Sequence, residues 1–349
     1  MGSASSIAIA GRDIGPAHRP FVIAEVGQAH DGSLGAAHAY IDAIADAGAD
    51  AVKFQTHIAH AESTPSEPWR VKFGYQDATR YAYWKRMELS PEHWAGLAEH
   101  ARERGLVFLS SPFSGAAVEL LERLEVPAYK IGSGELSNRP LVEQVAATNK
   151  PVLLSSGMSS WAELDAAVSW VPGPKALFQC TSSYPVAPER LGLNLIPEMS
   201  ARYGVPVGLS DHSAKLFAGI SAVTLGASLV EVHVVFDRRC FGPDTSSSLT
   251  LDELASLVEG ARFAFTARAY PVDKDALAAE LQPMKLLFEK SIVLNEARAA
   301  GHRLEPEDLA FKKPGTGILA PQRDLVLGRA LIRDVEADVP LTWEDLHDI

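Results

Sequence analysis

The chain has 349 residues, enough for about two domains, although one α/β barrel can hold about 250. Its 32 Lys and Arg against 44 Asp and Glu give a net charge of −12, which argues against nucleic acid as the main partner but leaves room for a small anion held by a few local cations. With 47% hydrophobic and 22% charged residues, no run of about 18 apolar residues, no basic-then-apolar leader and only Cys180 and Cys240, disorder, membrane spans and a disulfide scaffold are excluded, and a cytoplasmic protein is expected.

The first apolar run is FVIAEVG at 21–27. Behind it, Leu34, Ala37, Ile41 and Ile44 fall at helical spacing. AVKFQT at 51–56 reads as the next strand. A long connection, 57–89, follows, with His57, His60, Trp69, Arg70, Lys72, Tyr75, Tyr81, Trp84 and Arg86, and that content predicts an ordered lid. Ser90-Pro91 marks a helix start. LVFLSSPF (106–113), AYKIGSG (128–134) and PVLLSSG (151–157) are further strands, and Ser160 to Glu163 is a capping box. ALFQCTSSYP (176–185), PVGLSDHS (206–213) and LVEVHVVF (229–236) complete eight, and Thr250 to Glu253 is a second capping box.

Continuous apolar strands alternating with amphipathic helices predict parallel βα units, and eight of them predict a (β/α)8 TIM barrel over residues 1–275. Residues 276–290 read as a linker containing a helix. In 291–349, AGHRLEPEDL (300–309) aligns with ADVPLTWEDL (337–346), pairing Leu304/Leu341, Asp308/Asp345 and Leu309/Leu346. This repeat predicts a small β-rich domain with pseudo-twofold symmetry.

Catalytic residues of such barrels sit at the C-terminal strand ends. Here those ends carry Glu25; Lys53 and Gln55; Ser111; Lys130, Ser133 and Glu135; Ser155 and Ser156; Thr181, Ser182 and Tyr184; Ser210, Asp211 and His212; and His233, with Asp244 in the loop beyond. Two lysines and several hydroxyls suit a phosphate. His212 and His233, at matching depth on neighbouring strands, suit a borderline divalent cation. Glu25, Glu135 and Asp244 could act in acid–base chemistry or hold sugar hydroxyls. Together these point to carbon–carbon bond formation between a phosphorylated enol and a carbonyl.

The motifs AEVGQAHDG (24–32), VKFQTH (52–57), SSPFS (110–114), YKIGSGE (129–135), LSSGM (154–158), CTSSYP (180–185), GLSDHS (208–213), EVHVVFD (231–237) and GPD (242–244) resemble the sialic acid synthase family. KKPGTGI (312–318) resembles that family's antifreeze-like SAF domain, a β-clip fold. The resemblance implies condensation of phosphoenolpyruvate with N-acetylmannosamine or a related diacetamido-trideoxyhexose, giving a nine-carbon 2-keto acid and phosphate. It implies a divalent metal, typically Mn²⁺, with Co²⁺ or Mg²⁺ as alternatives, and a domain-swapped homodimer whose SAF domains reach the partner's barrel. Carried over by motif, Lys53, Lys130, Ser133, Ser155 and Ser210 would bind phosphoenolpyruvate. His212 and His233 would hold the metal. Glu25, Gln55, Glu135, Tyr184 and Asp244 would face the sugar, with Glu25, Lys53, Lys130 and Asp244 taken as catalytic. Ser111 and Ser182 keep hydroxyls for the substrate, and Lys313 stands where an Arg is usual, reaching the N-acyl group. Two other readings are a Schiff-base aldolase with Lys53 or Lys130 as nucleophile, and an inactive barrel that only binds.

Overall fold

The computed structural model describes residues 6–69 and 75–347, so Arg70 and Lys72 of the expected lid lie outside the described residues. The chain divides into two compact units, residues 1–270 and 271–349.

The first unit opens with an antiparallel hairpin, β1 (Ile7–Ile9) and β2 (Arg12–Ile14), which the sequence reading did not anticipate. Ala10 and Gly11 both take positive φ at its two-residue turn, a conformation glycine adopts without strain. Then come β3 (Phe21–Gly27), α1 (Leu34–Asp46), β4 (Ala51–Thr56), the short helix α2 (Ala59–Glu62), α3 (Arg80–Met87) and α4 (Pro91–Glu103). The order continues through β5 (Val107–Pro112), α5 (Gly115–Arg123), β6 (Tyr129–Ile131), α6 (Arg139–Ala146), β7 (Val152–Ser155) and α7 (Trp161–Trp170). It ends with β8 (Lys175–Cys180), α8 (Leu195–Tyr203), β9 (Val207–Asp211), α9 (Leu216–Thr224), β10 (Leu229–Val235), β11 (Leu249–Thr250) and α10 (Leu251–Ala269). Strands β3 to β10 pair in parallel in sequence order, and β10 pairs with both β9 and β3, closing the barrel. The expected fold class holds. Both capping boxes form, and Ser33 and Ser90 cap their helices.

Strand parity sorts the side chains. Val22, Ala24, Val52, Phe54, Leu154, Leu177, Val230 and Val232 point outward into the layer between sheet and helices. Phe21, Ile23, Ala51, Leu109, Ala128, Leu153, Phe178 and Leu229 point inward and fill the lower half of the barrel, where Ile7, Ile9 and Ile14 of the hairpin join them. The hairpin is therefore part of the core. Ile9→Ala is expected to cost about 2–5 kcal/mol through lost burial and the cavity left behind, read as a lower guanidinium midpoint.

The second unit contains α11 (Lys274–Glu280) and α12 (Gln282–Phe288), two helices where the sequence suggested one, with Pro283 in the first turn of the second. An antiparallel pair follows, β12 (Ser291–Leu294) with β13 (Leu309–Lys312). The repeat is visible in its hydrogen bonds. Asn295 N donates to Asp308 O, and 37 residues on Ile332 N donates to Asp345 O. Leu304 N donates to Arg329 O while Leu341 N donates to Ile292 O, so the halves exchange under one pseudo-twofold. Asp308 and Asp345 are both buried, cap their own turns, and take Arg298 and Arg333 respectively.

Candidate active site

The inward parity that gives apolar side chains low in the barrel gives polar ones at the C-terminal ends. Ile23 is followed by Glu25, Ala51 by Lys53 and Gln55, Leu109 by Ser111, Ala128 by Lys130, Leu153 by Ser155, and Leu229 by Glu231 and His233. They line one chamber of about 420 Å³ at the barrel mouth. Most of the expected barrel site residues are on its wall: Glu25, Lys53, Gln55, Ser111, Lys130, Ser133, Glu135, Ser155, Ser182, Tyr184, Ser210, His212, His233 and Asp244. Ser156, Thr181 and Asp211 are not: Ser156 donates to Phe178 O, Thr181 to Arg190 O, and Asp211 accepts from Ser213. Lys313 lies in the second unit, exposed, with Nζ 4.8 Å from the Phe288 ring centroid.

The floor is an ionic cluster. The Lys53 ammonium abuts the Glu25 carboxylate, its register neighbour, and donates to Ser111 Oγ at 3.2 Å. Lys130 Nζ donates to Ser155 Oγ at 2.7 Å. Between the lysines lies Glu231, whose Oε1 is 3.2 Å from Lys130 Nζ, 3.8 Å from Lys53 Nζ, and accepts from Ser210 Oγ at 3.2 Å. Sequence reasoning missed Glu231. It lies two residues before His233 on a strand, and that spacing alone puts both on the inner face. Burial pushes the Lys53 ammonium down to about 7 against the pull of Glu231. Burial also works against an ionised Glu231, but Lys130 and Lys53 outweigh it and hold that carboxyl below the ordinary range. Ser133 accepts from Gly157 N at 3.1 Å, and a Cβ on Gly157 would lie 2.5 Å from Ser133 Oγ and Ser182 Oγ, so that position must stay bare.

Above the floor, the His212 and His233 rings are 5.2 Å apart, centroid to centroid, with Tyr184 4.3 Å from His212. Asp244 Oδ2 is 3.9 Å from His233 Nδ1. Burial, then His233, pushes His212 down to about 3, which keeps it a neutral imidazole, the form that binds metals. Among the described residues no group of three or more His, Cys, Asp or Glu is arranged to cage a metal ion. A cation held by the two imidazoles alone would have to take its remaining ligands from water or substrate.

The lid contributes His57, Glu62, Glu67, Arg80 and Trp84 to the chamber wall. Arg80 is paired with Glu67 at 3.1 Å and lies over Trp84. Arg86 ties the lid down through Asp77 and Asp31, while Tyr75 and His60 are exposed.

Comparison with known proteins agrees with this architecture. The family model for the NeuB family matches residues 40–272, and that for the SAF domain residues 289–347. The N-acetylneuraminate-9-phosphate synthase of Homo sapiens is 33% identical over 348 residues, 97% of this chain and 95% of that one. The N,N'-diacetyllegionaminic acid synthase of Legionella pneumophila is 31% identical over 338 residues, 94% of each. The crystal structure of a sialic acid synthetase from Leptospira borgpetersenii is 29% identical with a TM-score of 0.71, covering 80% of this chain and 97% of that one. The chain thus belongs to the NeuB family of sialic acid and related synthases, and is an enzyme of that family carrying a SAF domain.

Proposed function

We propose that the enzyme condenses phosphoenolpyruvate with an N-acyl amino sugar, N-acetylmannosamine or a diacetamido-trideoxyhexose, to give a nine-carbon 2-keto acid and phosphate. The observation that carries this reading is the floor of the chamber: two buried lysines with the Ser111, Ser155 and Ser210 hydroxyls, below two imidazoles on adjacent strands. Relatives of similar identity bear the names of different products, so identity alone does not pick the acceptor.

In the proposed reaction the C2–C3 π pair of the enol forms a bond from C3 to the sugar's aldehyde carbon, whose oxygen takes a proton. Water adds at C2 and gives up one proton; the C2–O bond to phosphate then breaks, its electron pair leaving with phosphate, while the new C2 hydroxyl gives its proton to the departing phosphate and becomes the 2-keto carbonyl. Lys53 and Lys130 hold the phosphate and carboxylate, with Ser133, Ser155 and Ser210 donating to their oxygens. Glu25, touching Lys53, and Asp244, near His233, are placed to hold or move protons. Gln55, Glu135 and Tyr184 orient the sugar. A divalent cation on His212 and His233, Mn²⁺ by preference with Co²⁺ or Mg²⁺ as alternatives, would supply Lewis-acid polarisation of the aldehyde. The test is phosphate release from phosphoenolpyruvate across a panel of N-acyl hexosamines. Release with none of them would sink the proposal.

One observation favours a Schiff-base aldolase: burial lowers Lys53 to about 7, as a nucleophilic amine requires. Borohydride trapping of a substrate on Lys53 would decide for that reading.

A homodimer with shared sites belongs to the same proposal. Met284, Leu287 and Phe288 of α12 are more than half exposed, an apolar face beside Lys313 that a partner subunit would cover. Lys313→Ala and His233→Ala protomers, each inactive alone, are expected to regain activity on mixing, because one site per heterodimer is intact at both positions. No recovery after verified subunit exchange would exclude sharing.

A further inference from the structure

His57 follows Gln55 by two residues, just past the end of β4, and is buried. Its ring is sandwiched between Trp84 and Phe113, with centroids 4.2 and 4.4 Å away and planes inclined by 19° and 15°. Nδ1 lies 2.7 Å from Glu62 Oε1, and Nε2 lies 3.1 Å from Gln55 Oε1. Glu62 is held in turn, its Oε2 accepting from Ile58 N at 3.1 Å. On the other side, Gln28 Nε2 donates to Gln55 Oε1 at 3.0 Å, and Tyr83 OH donates to Gln28 Oε1 at 2.8 Å.

The Gln55 oxygen thus has a neighbour for each of its two lone pairs. Its NH₂ group has no protein acceptor among the described residues, and Gln55 lines the chamber. The two ring nitrogens thus face the Glu62 carboxylate and the Gln55 oxygen, both acceptors, so a ring N–H directed at Gln55 has that oxygen to meet. An unclamped amide can turn over and exchange donors for an acceptor at almost no cost in shape.

We propose that His57, held by Glu62, is a positioning residue that fixes the Gln55 amide so that its N–H donors face the acceptor substrate. The site then selects an acceptor that places a carbonyl or hydroxyl oxygen opposite Gln55. This rests on the synthase reading above. His57→Phe keeps the aromatic sandwich and removes both ring nitrogens. With N-acetylmannosamine as the probe, its KM is expected to rise about tenfold, the loss of one hydrogen bond, while the KM for phosphoenolpyruvate stays within about twofold. In a Gln55→Ala background the same substitution is expected to add less than about twofold. A His57→Phe enzyme with unchanged acceptor KM overturns the proposal, as does a full effect persisting without Gln55. Should His57→Phe fail to fold by thermal melting, Glu62→Gln is the second variant, and an unchanged acceptor KM there overturns it equally. The Gln55 side-chain amide resonances need no substrate. One distinct pair with the restricted motion of a clamped amide is expected in the wild type, and greater side-chain mobility by heteronuclear relaxation in the variant. Resonances alike in both overturn the clamp, whereas a wild type inactive on every acceptor overturns the synthase reading alone.

Discussion

Treatment with a chelator should abolish turnover, and Mn²⁺ or Co²⁺ should restore it. His212→Ala and His233→Ala should each lose most of kcat, by about a hundredfold or more. The size of the effect follows from the donor set. Two imidazoles at adjacent strand ends, one kept neutral by burial, are the proposed protein ligands, so removing either halves the protein's hold on the cation. The loss should fall on kcat and on metal affinity, with phosphoenolpyruvate binding retained, because the floor below is untouched. Calorimetry of Mn²⁺ binding to each variant separates lost metal from lost fold. Full activity of the wild type in metal-free buffer would exclude the Lewis-acid role.

The second large effect concerns the floor. Lys130→Ala leaves a phosphate or carboxylate oxygen without its charge-assisted donor, a loss of about 1.5–3 kcal/mol, or about 10- to 150-fold in the Kd for phosphoenolpyruvate. It also strips Glu231 of its nearer cation, so circular dichroism must accompany the titration. Lys53 adds a sign that can be checked. Its ammonium, pushed down to about 7, is mostly neutral at pH 8 in the free enzyme. An arriving polyanion favours the charged form, so binding above pH 7 should take up a proton, and the calorimetric enthalpy should depend on the buffer's ionisation heat. A buffer-independent enthalpy at pH 8, or unchanged affinity in both lysine variants, would remove the lysines from the anion site.

Most of the barrel was legible because each parallel strand is buried on both faces and so reads as an uninterrupted apolar run bounded by turns. The site was legible for a related reason: a lysine or glutamate closing such a run has nowhere to go but the mouth. What escaped reading has specific causes. The hairpin strands are three residues each, too short to show alternation, and its turn is Ala10-Gly11 rather than a stronger signal such as Asn-Gly. Glu231 lies inside a strand rather than at its end, so attention to termini passed over it although parity placed it beside His233. The His57–Glu62 pair depends on a four-residue helix that brings two lid residues together, and no periodicity is visible over one turn.

The alternation along each strand has a consequence for how sequence change can be tolerated. A mutation's depth in the barrel forecasts which measurement it moves. At Ile23, Ala51, Leu153 or Phe178 it should shift the melting curve and leave substrate preference alone. Two residues further along the same strands, at Glu25, Lys53, Ser155 or Cys180, it should alter chemistry on a scaffold whose folding is decided below. Drift in acceptor preference can therefore proceed at the rim while the plug of isoleucines and phenylalanines beneath stays fixed, so related chains can change what they make without renegotiating how they fold.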